Sequence, residues 1–285
     1  MSYEQSIALL DEETILAECG PMRLAIRAWQ DNRPQIALCR QAAEASFAYL
    51  EAVAEHRVVL SDFVRNIKVL PENELAQRMI ESVRAIGDMD LTPMAAVAGT
   101  IADGVADWLF GRGPTKVVVD NGGDIAIRLA AGETATVGIR PQINGSDISH
   151  IAYLDERRLS WGVTTSGRGG RSFTRGIASA VTVIAENASI ADAAATAIAN
   201  ACIVEAINIV QIPAEQIDPN TDLKGVAVTI DVGPLSVDKK IQAVQTALSK
   251  ADILCRQKCI VGALIALEDV FVMTEGVREL ISPSN

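Results

Sequence analysis

One stretch of the sequence, residues 187–204, carries a single charged side chain among small apolar residues, and it restricts the fold more than any other. Between Glu186 and Glu205 the only charged residue is Asp192, and the segment ASIADAAATAIANA is half alanine or more. Because alanine favours helix and this helix has no polar face, we expect it to be buried. A carboxylate on such a helix needs a partner, since an uncompensated buried charge is costly.

The residues offer two explanations for Asp192. In the first, Ser189 caps the helix and Asp192, at the third helical position, reaches back to it as in a capping box. In the second, Asp192 and Thr196 are four residues apart and share one helix face, with Asn200 one turn further along. A carboxylate and a hydroxyl suit Mg²⁺, which takes few protein ligands and fills its octahedron with waters and substrate phosphates. The residues alone leave both explanations open.

A second helix rich in small residues is predicted to begin at Thr92-Pro93 and to end at Gly111, with threonine as the cap and proline at the first helical position. Gly99 and Gly104 lie inside it, where glycine costs about 1 kcal/mol relative to alanine. We therefore expect a neighbouring element or a ligand to approach this helix closely.

The segment VDNGGDI follows a run of valines at 117–119 and precedes an alternating strand. Asn121-Gly122 is a strong hairpin signal, because a type I′ turn requires positive φ at both central residues. Glycine at positions 122 and 123 would also let backbone amides approach a phosphate or a ring. We expect Asn121-Gly122 to make the turn and Gly123-Asp124 to face a ligand.

A basic, glycine-rich loop spans 164–176. From Arg157 to Arg175 there are five arginines and no acidic residue, although the formal net charge of the chain is −11. Glycine amides, hydroxyls and guanidinium groups are the donors that phosphate oxygens accept. The alternative is a solvated loop without a ligand.

Composition and charge narrow the class of protein. The 285 residues are 49% hydrophobic and 21% charged, which is typical of a globular chain, and the net charge of −11 disfavours nucleic-acid binding. The N-terminus lacks a secretory pattern, and the longest apolar stretch is shorter than the roughly 18 residues of a membrane helix. The five cysteines are scattered and the two histidines isolated, which indicates reduced thiols rather than disulfides or zinc sites. These features predict a cytoplasmic protein that does not enter a membrane.

Strand and helix patterns alternate along the chain, partly through hairpins, and this predicts an α+β fold rather than a regular doubly wound sheet. We expect one domain over residues 1–285, with mixed or antiparallel sheets and packed helices. The elements predicted are a strand pair turned at Gly20-Pro21, helices near 41–56 and 75–87, strands near 160–164 and 180–185, a helix from about Ile190, and a strand–helix–strand–strand unit over 225–274.

Read in order, five segments resemble the ApbE family, whose members use Mg²⁺ to transfer FMN from FAD onto a threonine or serine of an acceptor protein. The segments are AVAGTIADGVADWL, VVVDNGGDI, TTSG, AVTVIA and ADAAATAIAN, within residues 88–210. They are closer to an uncharacterised ApbE-like branch than to proven transferases. The resemblance implies an ApbE-like fold, FAD as substrate or ligand, and an acceptor protein as partner.

The resemblance also implies roles for individual residues. The metal-binding Asp and Thr of the family correspond to Asp192, which is also the candidate catalytic residue, and to Thr196. A main-chain carbonyl near Thr100 would be the third metal ligand. With the arginines of the basic loop added, the candidate cofactor-binding residues are Asn121, Gly122, Gly123, Asp124, Thr165, Ser166, Gly167, Arg168 and Arg171.

The chain departs from the family pattern at several positions. Asp103 stands where transferases carry a lysine, and Arg171 where they carry a histidine. The segment IDPNT at 217–221 resembles part of a family motif, but it lies after the helix that carries Asp192 and Thr196 rather than before it. We therefore interpret the match as coincidence. Asp103 and Asp124 are the candidate general bases. The departures favour, as an alternative, a protein that binds flavin or another phosphorylated cofactor without turnover. A third possibility is a structural protein whose small-residue helices serve only packing. The sequence leaves the oligomeric state open.

Overall fold

The computed structural model describes residues 3–140, 147–170 and 172–284. Its strands are β1 (Gln5–Leu9), β2 (Ile15–Cys19), β3 (Met22–Gln30), β4 (Arg33–Pro34), β5 (Lys116–Asn121), β6 (Asp124–Leu129), β7 (Thr134–Ile139), β8 (His150–Asp155), β9 (Ser160–Ser166), β10 (Ala180–Ala185), β11 (Ile209–Pro213), β12 (Ala227–Val232), β13 (Gly262–Leu267), β14 (Val270–Met273) and β15 (Ile281–Pro283). Its α-helices are α1 (Ile36–Glu55), α2 (Arg57–Leu60), α3 (Glu74–Ile86), α4 (Val97–Phe110), α5 (Ala188–Ala201) and α6 (Val237–Arg256). Short 3-10 helices lie at Pro93–Ala96, Ala214–Gln216 and Glu275–Val277.

The main sheet has the strand order β1-β2-β3-β5-β6-β9-β10-β13-β14, with β4 paired to β3. A three-stranded sheet, β15-β8-β7, and a two-stranded sheet, β11-β12, complete the strands of the described residues. Each pairing within the described ranges is antiparallel, so the strands are joined by hairpins and by helical crossovers. The predicted α+β class with antiparallel sheets is confirmed.

The two faces of the main sheet are covered by different layers. The helices pack on one face, where α1 contacts β2 and β3, α4 contacts β5 and β6, and α6 contacts β13. The opposite faces of β6 and β9 pack against β7 and β8, forming a second hydrophobic cluster that includes Ile127, Val137, Leu154 and Trp161. Strands β6, β10 and β13 therefore contribute buried side chains to both clusters, which accounts for their high share of aliphatic residues.

Helix α5 lies at the centre of the helical layer. It contacts α3, α4 and α6 as well as β9 and β10. Seven of its alanines and Ile198 are buried, so no face was available for charged side chains other than the one that carries Asp192. The burial predicted from the composition of this segment is confirmed.

Most predicted elements agree with the structure. The strand pair turned at Gly20-Pro21, the two early helices, the strand at 180–185 and the closing strand–helix–strand–strand unit are all present. Helix α5 begins two residues earlier than predicted, at Ala188. The single-domain organisation stays a prediction. Across residues 3–140, 147–170 and 172–284, no helix combines the length and apolar character required to cross a bilayer.

The predicted start of the helix after Thr92 is wrong in detail. Pro93–Ala96 forms a 3-10 helix, and α4 begins only at Val97, after Ala96 departs from helical geometry with φ −123° and ψ 10°. The Thr92 side chain makes no capping bond; its hydroxyl donates instead to the Asp222 carboxylate. That carboxylate comes from a loop 130 residues further along the chain, so local sequence gave no indication of the competition.

The VDNGGDI turn is displaced by one residue from its predicted position. Asp120 pairs with Ile125, so Gly122 and Gly123 are the central residues, with φ values of +70° and +107°. Both glycines are therefore required by the hairpin itself, because positive φ strains other residues. Asn121 ends β5, and its side-chain amide donates to the Ala98 carbonyl at 3.2 Å, which ties the hairpin to the start of α4.

Candidate functional site

A cleft opens between the beginning of α4, the face of α5 that carries Asp192, and the loops that surround them. It consists of two connected cavities of about 450 and 400 Å³. The residues that line both cavities are Pro21, Val97, Ala98, Asp124, Ser172, Asp192 and Thr196. Asp192 and Thr196 therefore lie where the two cavities meet.

The larger cavity, which we call the glycine-lined half, is formed by the hairpin turn and by the loop after β9. Of the predicted cofactor-binding residues it contains Asn121, Gly122, Asp124, Thr165, Ser166 and Gly167. Met22, Leu50 and Ile101 add an apolar wall. Glycine backbone, hydroxyl groups and aliphatic carbons therefore line the same cavity, as is common in small-molecule sites.

The second cavity, which we call the charged half, was largely missed from the sequence. Its charged lining residues, apart from the shared Asp124 and Asp192, are Arg57, Asp90, Arg175, Asp218 and Asp222. The segment at 217–221, interpreted above as a coincidental match, lies in this wall. Arg57 anchors it by donating from Nη2 to the Asn220 carbonyl at 2.8 Å.

Asp192 occupies the floor of the cleft. Its Oδ2 accepts a hydrogen bond from the Gly99 amide at 3.0 Å, so it caps the beginning of α4. The pKa of Asp192 is raised to about 7, mainly by burial. Hydrogen bonds from the Gly99 and Ala98 amides act to lower it, and the charge of the neighbouring Asp103 carboxylate also contributes to the increase. A carboxylate with an elevated pKa in a cleft is typical of a functional site.

The donor set around Asp192 fits a hard divalent cation. In the described part of the chain no cationic side chain forms an ion pair with Asp192, and Thr196 lines the cleft one turn further along α5. Within the same residues, nowhere do three or more His, Cys, Asp or Glu side chains converge as a metal cluster. A cation bound here would rest on few protein ligands, which suits Mg²⁺ better than zinc or calcium.

Asn200, the third polar residue on this face of α5, has a structural role. Its side-chain oxygen accepts from the Arg175 amide at 2.8 Å and from the Thr174 hydroxyl at 3.2 Å. These bonds hold the end of the basic loop against the last turn of α5. Of the three residues on this face, Asp192 and Thr196 remain for a ligand.

Asp103 is not available as a general base. It is fully buried and pairs with Arg128, with 2.9 Å between Oδ1 and Nη2. It also accepts hydrogen bonds from the Ala188 and Ser189 amides at 3.1 and 2.8 Å. Burial alone would lower the pKa of Arg128, but the charges of Asp103 and Asp107 outweigh it and raise that pKa. The carboxylate is therefore fully used in holding α5.

The capping-box explanation of Asp192 is wrong. Asn187 is the N-cap of α5, and its Oδ1 accepts from the Ile190 amide at 2.9 Å. The Ser189 hydroxyl lies inside the helix, 2.9 Å from both Asn187 Oδ1 and Asp103 Oδ2, either of which can accept its single proton. Asn187 and Asp103 together satisfy the first amides of α5, so Asp192 is left to cap the neighbouring helix.

Three of the predicted ligand residues line neither cavity of the cleft. Thr100, near which a main-chain carbonyl was predicted as the third metal ligand, is fully buried and lines neither cavity. Gly123 lies on the outer side of its turn, where a Cβ would meet nothing within 4 Å. Arg168 lines neither cavity. Arg171 lies outside the described residues.

The four described arginines between residues 157 and 175 do not form one anion-binding surface. Arg157 pairs with Asp155 at the end of β8, and the Arg158 guanidinium stacks over the Trp161 ring. One Arg168 nitrogen, Nη1, is buried without a partner among the described residues. Arg175 alone among these four reaches the cleft. The excess of arginine in the sequence was therefore a weak guide to position, because neighbouring residues in a loop point in different directions.

The sequence matches one protein family and is similar to several curated proteins. The family described as AbpE bacteria matches residues 7–278. A UPF0280 protein of Archaeoglobus fulgidus is 39% identical over 127 residues, which is 45% of this chain and 50% of the relative. A UPF0280 protein of Methanopyrus kandleri is 39% identical over 159 residues, which is 53% of this chain and 63% of the relative. The chain thus spans about half to two thirds of the length of these relatives.

A solved structure shares the fold over nearly the whole length. The apo crystal structure of the flavinyl transferase ApbE from Pseudomonas stutzeri aligns with a TM-score of 0.53 and 12% sequence identity, covering 99% of each chain. At this identity the likeness shows the fold. The ApbE-like architecture predicted from the order of the sequence segments is confirmed.

Proposed function

Because this chain belongs to the AbpE bacteria family, we propose that its cleft binds FAD together with Mg²⁺ and transfers the FMN part to a threonine or serine hydroxyl of an acceptor protein. The observation that carries the proposal is the position of Asp192. It is a half-buried carboxylate without a cationic partner in the described residues, beside Thr196, at the junction of two cavities. Such a carboxylate favours a bound cation, and a cation there favours phosphate oxygens.

The two halves of the cleft suit the two parts of such a ligand. Amides and hydroxyls of the glycine-lined half can donate to phosphate oxygens, and Met22, Leu50 and Ile101 can pack against a ring system. When bound, Mg²⁺ would polarise the diphosphate and neutralise charge that develops on it. Asp192 and Thr196 would hold the cation.

The reaction that follows from this arrangement is an exchange of phosphate esters. The acceptor hydroxyl oxygen bonds to the phosphorus of the FMN part, the bond to the bridging diphosphate oxygen breaks, and AMP leaves. The hydroxyl proton needs an acceptor within the cleft. We assign this role to Asp124, which lines both halves, whereas Asp103 is fully buried and bound to Arg128 and to the first amides of α5. The protein contributes mainly by positioning groups and stabilising charge.

A second function, binding of the nucleotide without turnover, is favoured by one observation. The resemblance places a lysine of the transferases at the position of Asp103, and here that side chain is consumed by Arg128 and the first amides of α5. The cleft therefore receives no cation from this position. A cleft that lacks this charge could hold the cofactor without promoting departure of AMP.

One experiment separates the two functions. Purified protein is incubated with FAD, Mg²⁺ and an acceptor carrying the family's threonine-containing target sequence. AMP is then followed by chromatography, and flavin on the acceptor by in-gel fluorescence. Release of AMP with a fluorescent acceptor supports transfer. Saturable FAD binding without AMP supports the binding protein, and the absence of any FAD binding contradicts both.

Paired variants connect the result to the cleft. Asp192→Asn and Thr196→Val remove the two side chains assigned to the cation. Thr136→Val changes an exposed threonine on β7, remote from the cleft, and is the matched control. We expect Mg²⁺-dependent FAD binding to fall in the first two variants and to stay at the wild-type level in the third. Equal binding in all four proteins would refute the assignment of the cation to Asp192 and Thr196.

A further inference from the structure

Helices α4 and α5 cap each other with carboxylates. Asp192 of α5 accepts from the Gly99 amide in the first turn of α4 at 3.0 Å. Asp103 of α4 accepts from the Ala188 and Ser189 amides in the first turn of α5 at 3.1 and 2.8 Å. Each helix therefore fixes the first turn of the other, and the cleft lies beside one of these two contacts.

Asp103 is itself held in place from the sheet. Arg128 on β6 donates from Nη2 to Asp103 at 2.9 Å, and from Nε to Asp107 at 2.8 Å. The Ser189 hydroxyl lies 2.9 Å from the other Asp103 oxygen. Because Asp103 and Arg128 are 0% and 7% exposed, these charge-assisted bonds act in a medium of low dielectric and define the geometry strongly.

We propose that Asp103 is a positioning residue for the cation site: held by Arg128, it fixes the first turn of α5 so that Asp192 and Thr196 face the cleft. The inference rests on the proposed function, because it takes Asp192 and Thr196 as the cation ligands. Ser189 and Asp192 are separated by about 5 Å along the helix axis, so a shift of the first turn carries Asp192 with it. Metal sites tolerate deviations of only about 0.2 Å in ligand distance.

The test measures binding of Mn²⁺, used as a probe for Mg²⁺, by electron paramagnetic resonance on the full chain without flavin. Asp103→Asn keeps the shape of the side chain, but its NH₂ group cannot accept the hydrogen bond that the Ser189 amide donates. We expect the Mn²⁺ affinity to fall about 10- to 100-fold, as for other groups that orient metal ligands. Ser189→Ala keeps every charge and removes one contact to Asp103, so we expect a smaller loss. This second variant also serves if Asp103→Asn does not fold.

A matched control excludes general destabilisation. Leu154→Ala opens a cavity in the second hydrophobic cluster, on the other face of the sheet. It should lower stability without changing Mn²⁺ affinity at temperatures where circular dichroism shows a folded chain. Wild-type affinity in Asp103→Asn, or in Ser189→Ala, would overturn the positioning role, as would an equal loss in Leu154→Ala. If the wild-type protein binds no Mn²⁺, the proposed cation site itself is wrong, which distinguishes that failure from failure of the positioning role.

Discussion

Asp103 and Asp192 perform the same backbone task in opposite surroundings. Each lies on a small-residue helix and caps the first turn of the other helix. Asp103 is enclosed and neutralised by Arg128. Asp192 borders the cleft, has no cationic partner in the described residues, and has a pKa raised to about 7 by burial.

This difference separates a structural carboxylate from a candidate ligand. A buried ion pair with satisfied hydrogen bonds gives geometric definition but little net stability. A buried carboxylate without counter-charge is unfavourable unless it binds a proton or a cation, and a cavity beside it gives a cation access. The comparison therefore makes distinct predictions for the two residues.

The largest effect is expected when Asp103 loses its partner. Arg128→Met would leave a buried carboxylate without counter-charge, and we expect the free energy of unfolding to fall by about 3–5 kcal/mol. Urea denaturation followed by circular dichroism measures it. The control is Arg157→Met, which breaks an exposed pair with Asp155 and should leave the free energy of unfolding close to the wild-type value, because water screens such a pair. Similar losses in the two variants would show that Asp103 does not depend on Arg128.

The next effect concerns the protonation of Asp192. Its pKa is about 7 in the folded chain, against the ordinary value of 3.8 that applies when the chain is unfolded, so the folded state binds the proton more tightly. Without divalent cations, the stability associated with Asp192 should be fully present below about pH 4 and be lost as pH rises to about 7, with little further change. The fall should be on the order of 4 kcal/mol.

Asp192→Asn removes this titration and is measured against wild type by urea denaturation from pH 4 to 8. The difference in unfolding free energy between the two proteins should change across that window. Added Mg²⁺ should restore stability above pH 7 in the wild type only. Parallel curves for the two proteins would mean that Asp192 is ionised and compensated without a cation.

The close approach of the two helices is the third point of comparison. A Cβ on Gly99 would lie 2.2 Å from the Ala188 carbonyl oxygen, whereas a Cβ on Gly104 would lie 3.3 Å from the flexible ends of Leu75 and Tyr49. Gly99→Ala should therefore cost about 1–3 kcal/mol through overpacking. Gly104→Ala should change stability by less than about 1 kcal/mol, because the gain in helix propensity offsets the tighter contact. Thermal unfolding of both variants checks this order, and an equal loss of stability in Gly99→Ala and Gly104→Ala would show that the contact between Gly99 and Ala188 is not the tighter one.

The sequence was sufficient to predict those parts of the site that lie on regular elements. Asp192 and Thr196 share a face because helical spacing dictates it, and residues 165–167 and the hairpin turn lie at ends of strands that the sheet brings together. The prediction that another element approaches Gly99 is also correct, with α5 as that element. These positions follow from the regular spacing of residues along helices and strands, which can be read from the sequence.

The remaining parts depend on contacts between distant segments. Asp222 reaches Thr92 across 130 positions, and Arg57 reaches Asn220 across 163, so no local pattern indicated that 217–223 forms a wall of the charged half. The role of Asp103 was hidden for the same reason, since its partner Arg128 lies on a strand. Side-chain direction within the basic loop was equally invisible, which is why Arg168 was misassigned to the cleft.

The smallest effect tests whether Asp103 shares the capping of α5 with Asn187. Asn187 accepts from the Ile190 amide at 2.9 Å, while Asp103 accepts from the two preceding amides. Asn73 caps α3 alone, accepting from Leu75 and Ala76 at 3.0 and 3.1 Å. An N-cap asparagine replaced by alanine costs about 0.5–2 kcal/mol. Because α5 keeps its second cap, Asn187→Ala should fall at the lower end of that range and below Asn73→Ala in the same urea titration. The reverse order would mean that the Asp103 contacts contribute little to the first turn of α5, and that the fixed position of Asp192 has another source.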